Sequence, residues 1–311
     1  MKKFLVVYYS QSGQLTRILN SLLKPIIDSG QIELVFEELQ PAAPYPFPWS
    51  LMTFIDAMPE SVREIPCRLE PFHFDPEAHY DGIILAYQVW YLSPSIPINA
   101  FLQSPEAARV MRNRPVITII GCRNMWLHAH ERVKKHIARQ GGRPAANIVL
   151  MDRAPNLLSI VSITAWMMTG RQDRFLKIFP KPGVDEQEIM AADRFGHMLL
   201  PALAEGRWAG LQIALNRIGA VTIIPAFIFF EQRVAKIFNL WAKFIRHKGG
   251  PGAPARRGRL TLFIIYLLTA IVVLSPIAAL LSFLLRMLKI NKIKQLTDYY
   301  AGNTFDPEGS R

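Results

Sequence analysis

The chain has 311 residues, half of them hydrophobic, which allows one large globular domain or two smaller ones. The net charge of +12 is concentrated beside a long apolar run near the C-terminus, so we expect an anionic membrane surface as a partner and no nucleic acid. The two cysteines, Cys67 and Cys122, have neither a metal-binding spacing nor a disulfide framework, which favours a reducing compartment. The first residues run directly into a predicted strand, and we therefore expect no signal peptide.

A short strand, a hydroxyl-rich turn and a helix follow one another at the N-terminus. Residues 3–9 are continuously apolar after Lys3, as in a strand buried on both faces, and apolar residues recur at helical spacing from Leu15 to Leu23. The N–H groups that begin such a helix, together with its dipole, suit a phosphate, although an ordinary turn without a ligand is the alternative. The candidate phosphate-binding residues are Ser10, Gln11, Ser12, Gly13, Gln14, Leu15 and Thr16.

Strands and helices alternate five times in the first half of the chain. The apolar runs at 3–9, 32–39, 80–87, 115–121 and 145–151 are predicted strands, and helical patterns separate them. This alternation predicts an α/β fold with a doubly wound, five-stranded parallel sheet. Ligands bind such sheets beyond the carboxyl ends of the strands, so we expect the loops at 10–16, 88–97 and 122–128 to converge on one site.

A proline-rich insertion follows the second predicted strand. Four prolines between residues 40 and 50 exclude a helix or a central strand, and the segment carries the aromatic residues Tyr45, Phe47 and Trp49, with Phe54 close behind. Two interpretations remain open. The aromatic side chains either cap the edge of the sheet, or they form an apolar lid over a cofactor or a hydrophobic substrate.

Two loops resemble those of the flavodoxin-like family. Residues 8–16, Tyr-Tyr-Ser-Gln-Ser-Gly-Gln-Leu-Thr, are similar to the family's phosphate loop, with Leu15 where many members have threonine and quinone-reductase members have an aliphatic residue. Residues 90–97, Trp-Tyr-Leu-Ser-Pro-Ser-Ile-Pro, followed by Phe101 and Leu102, are similar to the second loop of the family's flavin reductases. The resemblance implies a flavodoxin-like fold and an FMN cofactor.

The same resemblance implies cofactor contacts in two further loops. An aromatic residue in the second loop can stack on the isoalloxazine ring, and packing between a helix and the sheet is the alternative for Trp90 and Tyr91. The third loop matches the family by position and not by residue type. The implied contacts are Val89, Trp90, Tyr91 and Leu92 in the second loop, and Cys122, Arg123 and Asn124 in the third.

Three histidines, His128, His130 and His136, lie in a predicted charged helix. His128 and His130 are two residues apart and point to different helix faces, and neighbouring basic residues oppose a cation, so we expect no metal site. We interpret the helix as having a solvated, charged face. His128 alone, at the start of the helix, is a candidate catalytic proton donor.

The remainder of the chain is divided by its hydrophobic pattern. We expect residues 156–206 to be a helical extension of a flavodoxin-like domain over 1–155, and residues 207–255 to be a basic amphipathic segment with a linker. Between 231 and 246 one helix face is apolar, and the other carries Arg233, Lys236, Lys243 and Arg246. This pattern predicts an interfacial helix on a membrane, and a helix docked on the globular domain is the alternative.

The last region, 256–311, is predicted to anchor the chain in a membrane. No charged residue occurs from Leu260 to Leu285, and as a helix this run exceeds a hydrocarbon core of about 30 Å. Arg256, Arg257 and Arg259 precede the run and basic residues follow it, so the charge rule does not settle the topology. Pro276 permits a kinked or re-entrant path in place of a transmembrane one. We expect a location on the cytoplasmic face of the bacterial inner membrane.

Four stretches resemble a narrower family, the bacterial dialkylresorcinol condensing enzymes. They are residues 7–16, 45–49, 58–62 and 90–97. Carbon–carbon condensation needs an activated nucleophile, but neither cysteine has a recognisable catalytic setting. A flavin fold instead implies oxidation of a cyclic dione to an aromatic ring, so we predict a membrane-tethered, FMN-dependent oxidoreductase with a lipophilic small-molecule substrate.

Other functional classes remain open. One is a quinone reductase that uses NAD(P)H as its electron donor, and another is a non-enzymatic electron-transfer flavodoxin. A membrane scaffold that binds no flavin is the third. The sequence also leaves a homodimer open.

Overall fold

A computed structural model describes residues 1–274 and 290–304 of the protein. The N-terminal half contains β1 (Lys2–Tyr8), α1 (Gln14–Ser29), β2 (Ile32–Glu38), α2 (Leu51–Asp56), α3 (Met58–Val62), β3 (Gly82–Trp90), β4 (Ser93–Pro94), α4 (Ile96–Leu102), α5 (Pro105–Met111), β5 (Pro115–Cys122), α6 (Leu127–Arg139) and β6 (Arg143–Met151). The remainder is helical, with α7 (Asn156–Thr169), α8 (Glu186–Met190), α9 (Asp193–Glu205), α10 (Leu211–Arg217), α11 (Pro225–Arg246), α12 (Arg257–Thr269) and α13 (Ile290–Gly302).

The sheet has the strand order of a flavodoxin-like fold. Its path is β2-β1-β3-β5-β6, and every pairing along the path is parallel. Counted over these five strands alone, the order is 2-1-3-4-5, with the switch point between β1 and β3. The predicted doubly wound, five-stranded parallel sheet is therefore confirmed. The short strand β4 pairs antiparallel with β3 and was not predicted.

Both faces of the sheet are covered, as the continuous apolar strands require. In β1, Phe4 and Val6 face a core shared with α1 and α9, whereas Leu5 and Val7 face a core shared with α4, α5 and α6. Helix α9 packs on α1 so closely that a Cβ at Gly196 would lie 2.0 Å from the carbonyl oxygen of Leu22. Helices α8 and α9, from the second half of the predicted helical extension, thus form an outer layer over α1.

Strand β3 is longer than predicted. Val89 and Trp90 pair with Pro94 and Ser93, so the predicted loop 88–97 is the end of a strand and a tight hairpin. At the tip of the hairpin, Tyr91 and Leu92 have φ angles of 50° and 61°. Left-handed backbone is uncommon for large side chains, and here it turns the chain back within two residues.

Helix α6 is more buried than predicted, because Lys135 and Arg139 are exposed but His130, Lys134 and His136 are buried. His130 is buried between Tyr87, whose hydroxyl lies 2.9 Å from its Nδ1, and Asn303, whose Oδ1 lies 2.8 Å from its Nε2. The buried Lys134 amine lies 2.7 Å from a carboxylate oxygen of Glu131. The prediction was wrong because Asn303, which comes just after α13, covers this face of the helix. The local sequence pattern around α6 contains no sign of that contact.

Helix α11 is docked on the globular domain, so the alternative left open for the amphipathic segment describes its position. Ala235, Ala242 and Ile245 are buried, and the helix packs on α3 and α6. Arg246, which was assigned to the polar face, lies 2.6 Å from a carboxylate oxygen of Glu60. The apolar face therefore contacts protein along much of its length.

Arg256 is not the membrane-flanking cation that the sequence suggested, because its side chain is 0% exposed. Its guanidinium lies 3.2 Å from Asp56 and 3.0 Å from Glu60, so the segment between α11 and α12 is paired with α2 and α3. The predicted linker at 249–255 contributes as well, since the N–H of Gly252 donates to Asp56 at 2.7 Å. These contacts fix the start of α12 to the domain.

The uncharged run begins in α12 and in a π-helical turn, Ala270–Leu274, that continues it. The part of the run from 275 to 285 lies outside the described residues. Within the residues that the structure does describe, no helix is both long and apolar enough to cross a membrane. Helix α13, predicted to be part of a tail, packs on α10 and α11.

Candidate functional site

A cavity of about 390 Å³ lies at the carboxyl edge of the sheet, where the sequence placed a ligand site. It is bordered by residues that follow β1, by the end of β3 with its hairpin, and by the end of β5. Of the predicted cofactor contacts, those that line it are Gln11, Ser12, Gln14, Leu15, Val89, Trp90, Tyr91, Leu92, Cys122, Arg123 and Asn124. The three loops thus meet around one space.

The turn after β1 has the geometry of a helix start. Gly13 caps α1 with a φ of 76°, which glycine adopts without strain. Ser10 accepts a hydrogen bond from the N–H of Thr16 at 3.2 Å, and Gln14 binds both backbone groups of Val184, at 3.0 and 3.3 Å. Ser10, Gly13 and Thr16 do not line the cavity, so within this turn the cavity is lined by Gln11, Ser12, Gln14 and Leu15.

An aromatic cluster shapes the side of the cavity next to the hairpin. The Trp90 ring meets Tyr9, Tyr45 and Trp49 edge to face, with centroid distances of 6.0, 5.1 and 5.6 Å. The Tyr91 hydroxyl donates to the carbonyl oxygen of Phe54 at 2.6 Å. Trp49 and Phe54 also line the cavity, so the proline-rich insertion forms part of its wall.

The loop after β5 is tied to the start of α7 through one asparagine. Arg123 Nη1 donates to Asn156 Oδ1 at 2.7 Å, and Asn124 Nδ2 donates to the same oxygen at 3.0 Å. Burial lowers the pKa of the Arg123 guanidinium, so its charge is held in a poorly solvated position. The loop therefore brings a fixed cation and an amide to the edge of the cavity.

Two buried polar atoms beside the cavity have no hydrogen-bond partner among the described residues. They are Gln88 Nε2, a donor, and Asn124 Oδ1, an acceptor. Both residues line the cavity. Buried polar groups are nearly always paired, so an unpaired donor and an unpaired acceptor at one cavity indicate a ligand with complementary polar atoms.

His128 does not have the placement of a catalytic proton donor. It is absent from the cavity lining, and its Nε2 accepts a hydrogen bond from Arg132 at 3.2 Å. Burial and the Arg132 charge lower the pKa of His128 to about 4, so the imidazole is neutral at physiological pH. The sequence placed His128 at the site because it follows the third loop, but the first turn of α6 directs it elsewhere.

The two cysteines do not have the setting of activated nucleophiles. Cys122 lines the cavity, but burial raises the pKa of its thiol far above the ordinary value, and the Glu231 carboxylate raises it further. Burial also raises the pKa of Cys67. A thiolate is the reactive species, so both residues stay in the unreactive form.

Three helices that sequence reasoning did not assign to the site complete the cavity. They are α7, α11 and α12 with the π-helical turn after it. Their lining residues are Asn156, Ile160, Ile163, Thr164, Trp166, Met167, Phe230, Val234, Ile237, Phe238, Tyr266, Leu267, Ala270 and Ile271. The apolar face of α11 was visible in the sequence, but it was assigned to lipid and not to a cavity.

Comparisons with known proteins give structural neighbours only. No protein-family profile and no curated protein matches the chain. The chain is similar to a flavoprotein of Lactobacillus acidophilus in complex with FMN, at 18% identity over 49% of this chain and 94% of that one, with a TM-score of 0.39. It is also similar to a candidate flavoprotein of Bacteroides uniformis, at 18% identity over 53% and 97%, with a TM-score of 0.36. The flavodoxin-like fold of this chain is defined by its own strand order.

Proposed function

We propose that this protein is a membrane-tethered, FMN-dependent oxidoreductase that acts on a lipophilic cyclic or aromatic substrate. The proposal rests mainly on the cavity at the switch point of a 2-1-3-4-5 sheet, where the three predicted flavin loops meet. The structural neighbour from Lactobacillus acidophilus is a flavoprotein in complex with the same cofactor, FMN.

The residues around the cavity fit FMN. The start of α1, with Ser12 beside it, favours a phosphate through its N–H groups and dipole. Trp90 and Tyr91 offer aromatic surface to a flat ring. The unpaired Gln88 donor and Asn124 acceptor match a ring edge that carries both carbonyl oxygens and an N–H group, as the flavin pyrimidine edge does.

The bound flavin would supply two-electron redox chemistry by hydride transfer. The chain's own residues would orient the two reactants and exclude water. The Arg123 guanidinium would stabilise negative charge that develops at the polar edge of the cavity, because its own charge is buried. In the direction of aromatisation, the substrate ring would lose a hydride to the flavin and a proton to solvent.

The four stretches that resemble dialkylresorcinol enzymes support the substrate assignment. Residues from 7–16, 45–49 and 90–97 line the cavity, and the fourth stretch forms α3, where Ser61 donates to the carbonyl oxygen of Trp90 at 2.8 Å. Apolar residues of α7, α11 and α12 line the same cavity and suit a lipophilic substrate. We therefore propose an oxidation or aromatisation step on a dialkylresorcinol-type substrate.

The outer face of α12 supports the membrane tether. Leu262, Ile265 and Leu268 are 52%, 56% and 59% exposed, and contiguous exposed apolar surface favours a lipid or protein partner. The exposed cations Lys243 and Arg257 lie at the adjoining ends of α11 and α12, as suits an anionic surface. We place the protein on the cytoplasmic face of the bacterial inner membrane.

The flavin assignment is tested by absorbance spectra of detergent-purified, full-length protein with and without added FMN. Gly13→Asp and Gly13→Asn form a matched pair, since a Cβ at Gly13 meets open space and both residues tolerate left-handed backbone. Only the aspartate adds a negative charge near the phosphate. We expect it to weaken FMN binding at least about tenfold more than asparagine does. Equal affinities in the two folded variants would contradict the placement of the phosphate.

The tether is tested by extracting the full chain from membranes. We expect the parent protein to need detergent, whereas Leu262→Gln, Ile265→Gln and Leu268→Gln together should release more of it in high salt, which screens the remaining electrostatic attraction. The three residues do not line the cavity, so flavin stoichiometry serves as the control. Parent protein in the soluble fraction without detergent would exclude the tether.

A further inference from the structure

The cavity has two walls of different chemistry. The sheet-edge wall is formed by the loops after β1 and β5 and by the end of β3 with its hairpin, and it carries Gln11, Gln88, Arg123 and Asn124. Among the described lining residues of α7, α11 and α12, by contrast, none is charged. We call the part formed by α11, α12 and the π-helical turn the helical wall. A ligand with a polar ring and an apolar substituent would have only one favourable orientation between these walls.

The two walls are joined by a continuous set of aromatic contacts. Tyr91, on the hairpin, lies 6.3 Å from Phe238 of α11, and Phe238 lies 5.9 Å from Phe263 of α12, measured between ring centroids. Trp241 lies 5.2 Å from Tyr266. The apolar surface therefore runs without interruption from the predicted flavin-stacking residues to α12.

Helix α12 and the turn after it are apolar on both sides. Tyr266, Leu267, Ala270 and Ile271 border the cavity, while Leu262, Ile265, Leu268 and Val272 point outward and are 52–73% exposed. A helix that is apolar all round is stable in water only when it is covered on every side. A single helix thus separates the cavity from the surface that we assign to lipid.

The position of this helix is built into the fold. The Arg256 pairs with Asp56 and Glu60 hold its first turn, and Leu260 and Phe263 are buried against α11 and the insertion helices. The helical wall is accordingly a fixed surface beside an open cavity.

We propose that the helical wall is a binding site for a hydrocarbon chain carried by the ring substrate, and that this chain reaches the cavity from the membrane alongside α12. The inference rests on the proposed function, and it adds the orientation of the substrate and the residues that hold its chain. The polar ring lies at the sheet-edge wall, and the chain lies against Ile237, Phe238, Leu267, Ala270 and Ile271.

The test uses full-length protein in lipid nanodiscs and 1,4-benzoquinones that carry methyl, hexyl or decyl chains. Binding is measured by quenching of tryptophan fluorescence, because Trp49, Trp90 and Trp166 line the cavity, and affinities are corrected for partition into empty nanodiscs. We expect affinity to rise with chain length, by up to about fourfold for each methylene that the wall buries.

Ala270→Phe places a phenyl ring in the space where the hydrocarbon chain would lie. It should lower the affinity for the decyl compound at least about tenfold and leave the affinity for the methyl compound unchanged. Val272→Phe is the matched control, since Val272 lies two residues further along and is 73% exposed. It should behave as the parent. Ile237→Phe adds bulk to the same wall from α11. It is the deciding variant if Ala270→Phe weakens binding of the methyl compound as well as that of the decyl compound.

An unchanged chain-length dependence in Ala270→Phe and Ile237→Phe, or an equal loss in Val272→Phe, would overturn the inference. The assay does not require flavin. Protein that binds no FMN yet shows the dependence would refute the proposed function alone, and protein that binds FMN without the dependence would refute this inference alone.

Discussion

The sheet-edge wall and the helical wall border the same cavity but are built by different means. The sheet-edge wall consists of the carboxyl ends of three parallel strands and the segments that directly follow them, so its residues are positioned by the sheet itself. The helical wall depends on contacts between residues nearly two hundred positions apart, such as Arg256 with Asp56 and Glu60. The comparison indicates that the polar half of the site is inherited from the fold, whereas the apolar half is added by the C-terminal chain.

The largest expected effect comes from removing the buried cation that holds the helical wall. Arg256→Met leaves Asp56 without a cationic partner and Glu60 with Arg246 alone, and breaking a buried ion pair costs about 3–5 kcal/mol. We expect a loss of this size in the free energy of unfolding, measured by urea titration in detergent. The exposed Arg257 is the matched control, since Arg257→Met should change the same quantity by less than about 0.5 kcal/mol. Similar losses in both variants would show that the buried pairs do not hold the wall.

Glu231 joins α11 to the start of α6, and its ionisation predicts a pH dependence. Its Oε2 accepts the backbone N–H of His128 at 2.9 Å, and burial raises its pKa to about 8. The folded protein then keeps this proton between pH 4.5 and 8, whereas the unfolded chain loses it, so stability falls as pH rises.

The slope from this one group is at most about 1.4 kcal/mol per pH unit. Glu231→Gln keeps an acceptor for the His128 N–H but cannot ionise, so unfolding measured at pH 5.5 and 8 should show a smaller decline. An identical decline in parent and variant would mean that Glu231 is already ionised in the folded protein.

Two aromatic substitutions, one in each wall, should differ in their effect on FMN affinity. Trp90→Ala removes stacking surface from the sheet-edge wall and should weaken FMN binding by about 1–2 kcal/mol. Tyr266→Ala removes an aromatic ring from the helical wall and should leave FMN affinity unchanged. Flavin fluorescence titration measures both variants. Equal losses would place the flavin ring between the walls, and no loss in either would place it elsewhere.

The smallest effect is expected where the third loop meets α7. Asn156→Ala removes the acceptor shared by Arg123 and Asn124, and a lost hydrogen bond of this kind costs about 1 kcal/mol. We expect FMN affinity to fall about fivefold, because the loop is held less firmly. Asn239→Ala is the control, since it removes a similar bond to Arg63 at 2.9 Å away from the cavity. A loss of affinity in the control would point to a general loss of stability.

These differences also explain what the sequence could predict. Apolar strands and the rule that ligands bind at strand carboxyl ends were enough to bring Gln11, Trp90 and Asn124 to one cavity. An apolar face on a basic helix, however, describes contact with lipid and contact with a cavity equally well, so the role of Phe238 was missed. His128 does not line the cavity for a related reason, because proximity in sequence to a loop does not determine the direction of a side chain.

The burial of charged residues was equally beyond local patterns. Arg256 reads as one of several arginines before an apolar run, and nothing near it in sequence identifies Asp56 and Glu60 as its partners. His130 and Lys134 are covered by Asn303, Thr304 and the end of α13, which follow after more than one hundred and fifty residues. Periodicity identifies a polar helix face, but only the tertiary structure shows whether water or protein covers it.

The docking of α13 has a consequence for the proposed membrane tether. Asn303 lies 2.8 Å from His130 and Asn216 donates to the carbonyl oxygen of Ala301 at 2.8 Å, so residues 290–304 are fixed to the same body that holds α12 through Arg256. Two segments fixed to one body lie on one side of any membrane that the body rests against. Under the proposed tether, we therefore expect the start of α12 and the whole of α13 to lie on the membrane face that the α/β domain occupies.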